Sequence, residues 1–251
     1  MNAHVHDRTR TFAREERHDG HERDWDGIPA RIFLQPIAAP SVLGLFGFMG
    51  ATLIVGAHMA GWYGNAQTPE FLFPFAAMFG GVAQFAAGMW SYKARDALAT
   101  AMHGMWGSFW MAYGILYALV ATGTLVLPTD KFVGLGFWFI ALGAITSMGA
   151  LASLAESLGL FAVLSTLATG SILAAIALIT GSSGWETVAG WVFVFSAGFA
   201  WYTASAMMLA SAAGRTILPL GKYSRAANVP GRPPVTAVEY EYGEPGVKQG
   251  Q

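Results

Sequence analysis

The chain has 251 residues, of which 12% are charged and 54% hydrophobic, with a mean hydropathy of +0.45; a soluble domain carries about 25% charge. Between Ser41 and Gly214 the only charged residues are Glu70, Lys93, Arg95, Asp96, Asp130, Lys131, Glu156 and Glu186. This excludes a soluble globular domain and points to an integral membrane domain with polar tails. There is no cysteine, so disulfides, thiol catalysis and cysteine metal sites are excluded, and the net charge of -1 averages tails and middle that must be read separately.

The opening, MNAHVHDRTRTFAREERHDGHERDWDG, lacks the apolar core of a signal peptide. Residues 1–37 read as a polar, disordered tail, 38–222 as the membrane domain, and 223–251 as a second polar, disordered tail. Six apolar runs fill the middle: Val42 to Trp62, Pro69 to Trp90, His103 to Leu127, Phe132 to Leu154, Leu158 to Ile179 and Thr187 to Ala213. Each approaches or exceeds the roughly 20 residues a helix needs to cross about 30 Å of hydrocarbon. None alternates with period two, so the fold class is all-α, a polytopic protein with six transmembrane helices.

Helix starts are marked along the way. Thr68-Pro69-Glu70 offers an N-cap, a first-turn proline and an acid at the positive helix end. Pro74 predicts a kink in the second span. Thr129-Asp130 is a candidate cap for the fourth span and Ser183 to Glu186 has capping-box spacing for the sixth. An even number of spans puts both termini on one side. Of the 14 Lys and Arg, only Lys131 falls in the opposite loops, so both termini are expected in the cytosol. Arg215 then marks the cytosolic end of the last helix.

Every charge of the middle segment sits at or near a loop, which weighs against an ion-coupled pump with a midplane acid or base. His58 and His103 are the only core histidines and no HExxH or GxSxG pattern is present, which argues against an enzyme and leaves no metal or other cofactor implied. What stands out is glycine and aromatic content. Gly44 and Gly47 recur with Gly50 at every third residue, and Gly80, Gln84 and Gly88 at every fourth. Gly107 lies with Gly104 and Gly114 on one face of the third span. Such faces let helix backbones approach closely. Trp106, Trp110, Tyr113 and Tyr117 form a stripe at i, i+4, i+7 and i+11, which lines a pore or meets lipid or another helix. Gln84 needs a partner in mid-membrane and reads first as interhelical glue, with pathway lining as the alternative. His58 reads first as an interfacial polar residue near the end of the first helix, with a proton carrier on the substrate pathway as the alternative, and Glu156 as a solvated loop acid.

Five motifs in order resemble those of the acetate uptake transporter family, and within it the succinate–acetate permeases of bacteria. They are Ala39-Pro40 with Leu43-Gly44-Leu45, Phe79-Gly80-Gly81 with Ala83-Gln84 and Ala87-Gly88, Gly107-Ser108-Phe109-Trp110, Ala189-Gly190-Trp191, and Gly214-Arg215-Thr216-Ile217-Leu218-Pro219-Leu220-Gly221. The last explains the short apolar segment after the final helix, expected to fold back at the cytosolic face. The resemblance implies a homohexamer in the inner (plasma) membrane with a pore in each protomer, carrying acetate and, in some members, succinate. It implies an apolar constriction of Phe48, Trp106 and Leu167, and a position, Ala200, that tunes which acids pass. It also gives His58 a histidine counterpart. Two departures bear on substrate: alanine at 38 where the opening motif has asparagine, and Trp106 where the permeases have tyrosine.

A small carboxylate suits such a pathway, which needs neutral donors and no fixed carboxylate. The first helix begins at Pro40 and Ser41 with free N–H groups, and Thr52, Ser108, Tyr113, Tyr202 and Thr203 could supply further donors. An apolar ring would stop hydrated ions while a small amphiphilic acid passes. The expected partners are thus a small carboxylate, the lipid bilayer and other copies of the chain, with no nucleic acid. Proton coupling is left open. The rivals are a channel for formate, lactate or urea, and a non-transporting membrane scaffold.

Overall fold

The structure, a computed structural model, describes residues 37–222; the expectations for the two polar tails lie outside the described residues. Within these residues the fold is helical, and six helices are long and apolar enough to cross a membrane. They are α1 (Pro40–Met59), α2 (Thr68–Ala94), α3 (Ala97–Ala121), α4 (Val133–Ser153), α5 (Leu158–Thr180) and α6 (Ser183–Ala213). Each helix packs on its neighbours in chain order, α6 returns to α1, and α3 meets α4, so the six close into a ring. The ring is held by packing and by a few bonds between helices, because lipid provides no hydrophobic drive for association. Trp106 Nε1 donates to Thr146 Oγ1 at 3.1 Å, joining α3 to α4. Ser196 Oγ donates to the Val163 carbonyl at 2.9 Å, joining α6 to α5. Phe71, Phe75, Trp90, Phe137 and Phe195 are exposed on the outside of the protomer.

Helix ends refine the sequence reading by short steps. Asp96 caps α3 by accepting from the Ala99 N–H at 2.8 Å, so that helix starts before the apolar run at His103. Ser157 caps α5 through the Leu160 N–H at 3.2 Å, which closes the turn containing Glu156. At α2 the expected cap, Thr68, is instead the first helical residue, and its hydroxyl accepts from the Asn65 N–H at 2.7 Å. At α6 the cap is Ser182 rather than Ser183, accepting from the Trp185 N–H at 3.4 Å. Thr129 and Asp130 do not cap α4. Phe132 precedes that helix without a side-chain cap, and its N–H donates to the Leu178 carbonyl of α5 at 3.0 Å.

Pro74 sits inside α2, and the next two turns, Ala76–Ala83, are wound as π-helix. A proline removes one backbone donor and crowds the preceding turn, which a wider winding relieves. Gly214 ends α6 in the left-handed conformation, φ 62°, where glycine carries no side-chain penalty. The chain then folds back as expected. Tyr202 donates to the Pro219 carbonyl at 2.7 Å, and the Leu158 and Gly159 N–H groups donate to the Gly221 and Leu220 carbonyls at 3.3 and 2.9 Å. The closing motif therefore latches onto α6 and satisfies the first donors of α5. Tyr202→Phe is expected to cost about 0.5–1.5 kcal/mol, the net worth of one hydrogen bond. Limited proteolysis checks this, with faster cutting after Gly214 as the expected result.

Candidate functional site

Two cavities enter the ring from opposite ends. The distal cavity, about 490 Å³, opens among the α1–α2, α3–α4 and α5–α6 connections near Pro69, Asp130 and Ser182. The proximal cavity, about 400 Å³, opens near Asp96, Glu156 and Lys222, at the end of the ring where the described chain begins and closes. Trp106 and Leu167 belong to the walls of both. They lie near the middle of α3 and α5, and each is only 2% exposed. Phe48, equally buried on α1, lines the proximal side and meets Trp106 edge-on with ring centroids 6.4 Å apart. Three apolar side chains from three helices thus sit together where the two cavities approach each other.

The aromatic stripe of α3 faces the distal cavity: Trp106, Trp110, Tyr113 and Tyr117 all line it. They form a ladder with Phe109, the centroids 5.3 Å apart from Trp106 to Phe109, 5.0 Å to Trp110, 5.5 Å on to Tyr113 and 4.6 Å to Tyr117. The open choice between pore and lipid contact thus falls to cavity lining. Thr52 lines the same cavity with its hydroxyl unpaired, and His58 is part of the lining too. His58 Nδ1 lies 3.2 Å from the Tyr63 carbonyl, which accepts from it. The Tyr63 hydroxyl in turn donates to the Ile54 carbonyl at 2.5 Å, and burial raises its pKa from the usual phenolic value.

Ser41 and Thr203 line the proximal cavity, and Pro40 opens α1 beside Ser41. Other expected pathway residues lie elsewhere. Ser108 is exposed on an outer groove with Phe85, Met89 and Tyr92, its hydroxyl returned to the Gly104 carbonyl at 2.8 Å. Tyr202 holds the closing motif instead. Ala200 is fully buried in the core beside Ala204 and is outside the walls of both cavities.

The glycines do pack helices. A Cβ at Gly88 would lie 2.6 Å from the Gly104 nitrogen, one at Gly107 2.6 Å from the Phe85 nitrogen, and one at Gly81 2.9 Å from Met111. Gly80 approaches Trp110 at 2.9 Å, Gly44 seats the His103 ring at 2.5 Å, and Gly47 seats the Gln84 Cβ at 3.4 Å by the same measure. Of the two readings of Gln84, its position matches the pathway-lining one. The side chain is 2% exposed, lines the proximal cavity, and its Oε1 has no hydrogen-bond partner. His103, absent from the sequence-based site, lines that cavity too, with Nδ1 unpaired. A signal was available: it precedes Trp106 by three residues and so shares its helix face.

Six helices long and apolar enough to cross a membrane, closed into a ring and entered from both ends by cavities that approach near mid-helix, define a multi-pass membrane protein of the channel or transporter class. Residues 28–221 match the GPR1/FUN34/yaaH family, and the chain belongs to it. The succinate-acetate/proton symporter SatP of Escherichia coli strain K12 is 28% identical over 188 residues, covering 74% of this chain and 96% of that protein. Ammonia transport outward protein 2 of Saccharomyces cerevisiae is 28% identical over 173 residues, covering 67% of this chain and 61% of that protein. The structure of the bacterial acetate channel SatP aligns with a TM-score of 0.68 at 27% identity, over 74% of this chain and all of that one. The all-α six-span class and the resemblance read from the sequence both hold.

Proposed function

We propose that each protomer conducts acetate and related small carboxylates between the two cavities, past a constriction of Phe48, Trp106 and Leu167. The observation that carries this reading is that Trp106 and Leu167 wall both cavities while Phe48 packs on Trp106. Apolar side chains at a narrow point repel hydrated ions yet tolerate the methyl end of a short acid. Donors flank the point on either side: Thr52 and Tyr113 distally, Thr203 and the uncapped first turn of α1 at Ser41 proximally. The similarity to SatP, named for acetate and succinate, supports the substrate class. Ala200, beside the pathway in the core, tunes acid size in this reading through the packing of α6.

The proximal end faces the cytosol of a bacterial inner membrane. Lys93, Arg95, Arg215 and Lys222 lie toward that end and Lys131 toward the other, the distribution that retains cationic loops inside. The assembly is a homohexamer, as the family resemblance implies, which crosslinking in native membranes checks. Labelled-acetate uptake into proteoliposomes tests the function. Uptake above empty vesicles, reduced by unlabelled acetate but not by urea or ammonia, is expected. Absence of uptake at both acid and neutral pH would overturn the reading. Collapse of uptake on adding a proton uncoupler marks symport; persistence marks a passive pore.

A further inference from the structure

The three side chains at the constriction carry one hydrogen-bond donor between them, and it is turned out of the path. Phe48 and Leu167 have no polar side-chain atom, which leaves the indole N–H of Trp106. Trp106 Nε1 donates to Thr146 Oγ1 at 3.1 Å, and that hydroxyl donates onward to the Leu142 carbonyl at 2.7 Å. The hydroxyl hydrogen is thus committed within α4, and a lone pair is left to accept from the indole. Thr146 is 0% exposed and belongs to the wall of neither cavity. The α3–α4 seam does not depend on this bond alone. One turn to the proximal side, Met102 of α3 fills the hollow at Gly149 of α4, where a Cβ would lie 2.6 Å from the Met102 sulfur. On the distal side, Phe109 of α3 meets Phe139 of α4 edge-on, with centroids 5.3 Å apart. Apolar contacts therefore close the seam on both sides of Trp106.

We propose that Thr146 is a positioning residue that sets the size selectivity of the constriction from outside the path, by holding the angle of the Trp106 ring. The proposal rests on the conducting reading above and adds the residue that fixes its aperture. Trp106 touches Phe48 and Phe109 through ring edges, at interplanar angles of 67° and 73°. Such contacts fix distance, whereas a hydrogen bond weakens steeply as its angle falls and so fixes direction as well. The bond to Thr146 keeps the N–H edge of the indole toward α4, so the constriction meets a passing solute with carbon alone. Thr146→Val keeps the side-chain shape and loses the acceptor. The Leu142 carbonyl keeps its backbone partner within the helix, so the buried indole N–H is the group left unpaired. Pairing it again requires the ring to turn toward one of the cavities, and that turn opens the gap the ring had closed.

Flux of acetate and butyrate through the full chain in proteoliposomes tests this. Thr146→Val is expected to raise the butyrate-to-acetate ratio about threefold to tenfold, the range that one lost hydrogen bond spans. Thr146→Ser keeps an acceptor in the same place and is expected to hold the wild-type ratio. In a Trp106→Phe background, which has no N–H to hold, adding Thr146→Val is expected to leave the ratio where Trp106→Phe set it. A second readout needs no flux. The Trp106 indole N–H resonance, assigned by its loss in Trp106→Phe, is expected to exchange with solvent about threefold to tenfold faster in Thr146→Val. A residue that only stabilised the helix pair would lower the melting temperature in Thr146→Val and leave the ratio unmoved. That result overturns the proposal, as does unchanged indole exchange or an equal rise in ratio in both backgrounds. The two readings fail separately. Absence of acetate flux in the wild-type protein sinks conduction, while wild-type flux with an unmoved ratio in Thr146→Val sinks the role of Thr146 alone.

Discussion

Trp106→Ala is expected to admit acids larger than acetate, with the butyrate-to-acetate flux ratio rising about tenfold or more, the scale set by fitting extra methylenes into an apolar gap. The ring is packed edge-on between Phe48 and Phe109, with centroids 6.4 and 5.3 Å away. Its Nε1 bond to Thr146 fixes it against α4. Removing it joins the two cavities whose shared wall it forms, and costs about 3–5 kcal/mol of stability, as large-to-small changes in tight cores do. Trp106→Phe is the milder step. It keeps an aromatic ring but loses the N–H and part of the indole's bulk, so it is expected to widen the gap less than alanine and to cost about 1–3 kcal/mol. Thr146 stays satisfied because its hydroxyl also donates to the Leu142 carbonyl at 2.7 Å. Paired flux of the two acids through each variant, alongside thermal stability in detergent, gives the answer. An unchanged ratio in a folded Trp106→Ala protein would remove Trp106 from the constriction.

Hydropathy alone made the spans legible, because a helix in lipid must satisfy its own backbone and so declares itself by length. Cap positions slipped by a residue at Thr68 and Ser183, since capping depends on backbone angles that composition does not report. The site was legible where one face of a straight helix sufficed. Trp106, Trp110, Tyr113 and Tyr117 follow the helical period and line one cavity. The same period places Ser108 about 200° around α3 from Trp106, so both could not line the path. Gln84 was harder to read. It directly follows the π segment Ala76–Ala83, in which each residue turns through less than the usual 100° or so. Which way Gln84 faces therefore depends on a winding that the sequence signals only through Pro74.

The second large effect lies where α6 crosses α1. Gly190→Ala is expected to destabilise the fold strongly, by about 1–3 kcal/mol or more, and Gly190→Leu to prevent assembly of the ring. A Cβ at Gly190 would lie 2.7 Å from the Met59 carbonyl carbon and 2.8 Å from the Gly56 oxygen. Both are backbone atoms of α1, which cannot swing aside as a side-chain tip can. The contact is mutual, since a Cβ at Gly56 would sit 3.2 Å from the Gly190 oxygen. Close backbone approach of this kind is what holds membrane helices together. Gly198 on the same helix is the control: a Cβ there meets nothing within 4 Å. Gly198→Ala is expected to be neutral or slightly stabilising, because alanine favours helix over glycine by up to about 1 kcal/mol. Thermal unfolding followed by size-exclusion in detergent compares the two. Equal behaviour would show that α1 and α6 do not depend on this crossing. A selective loss at Gly190 would locate the joint that keeps Phe48 on α1 and Thr203 on α6 facing one cavity, so that a methyl group placed there also disturbs acid flux.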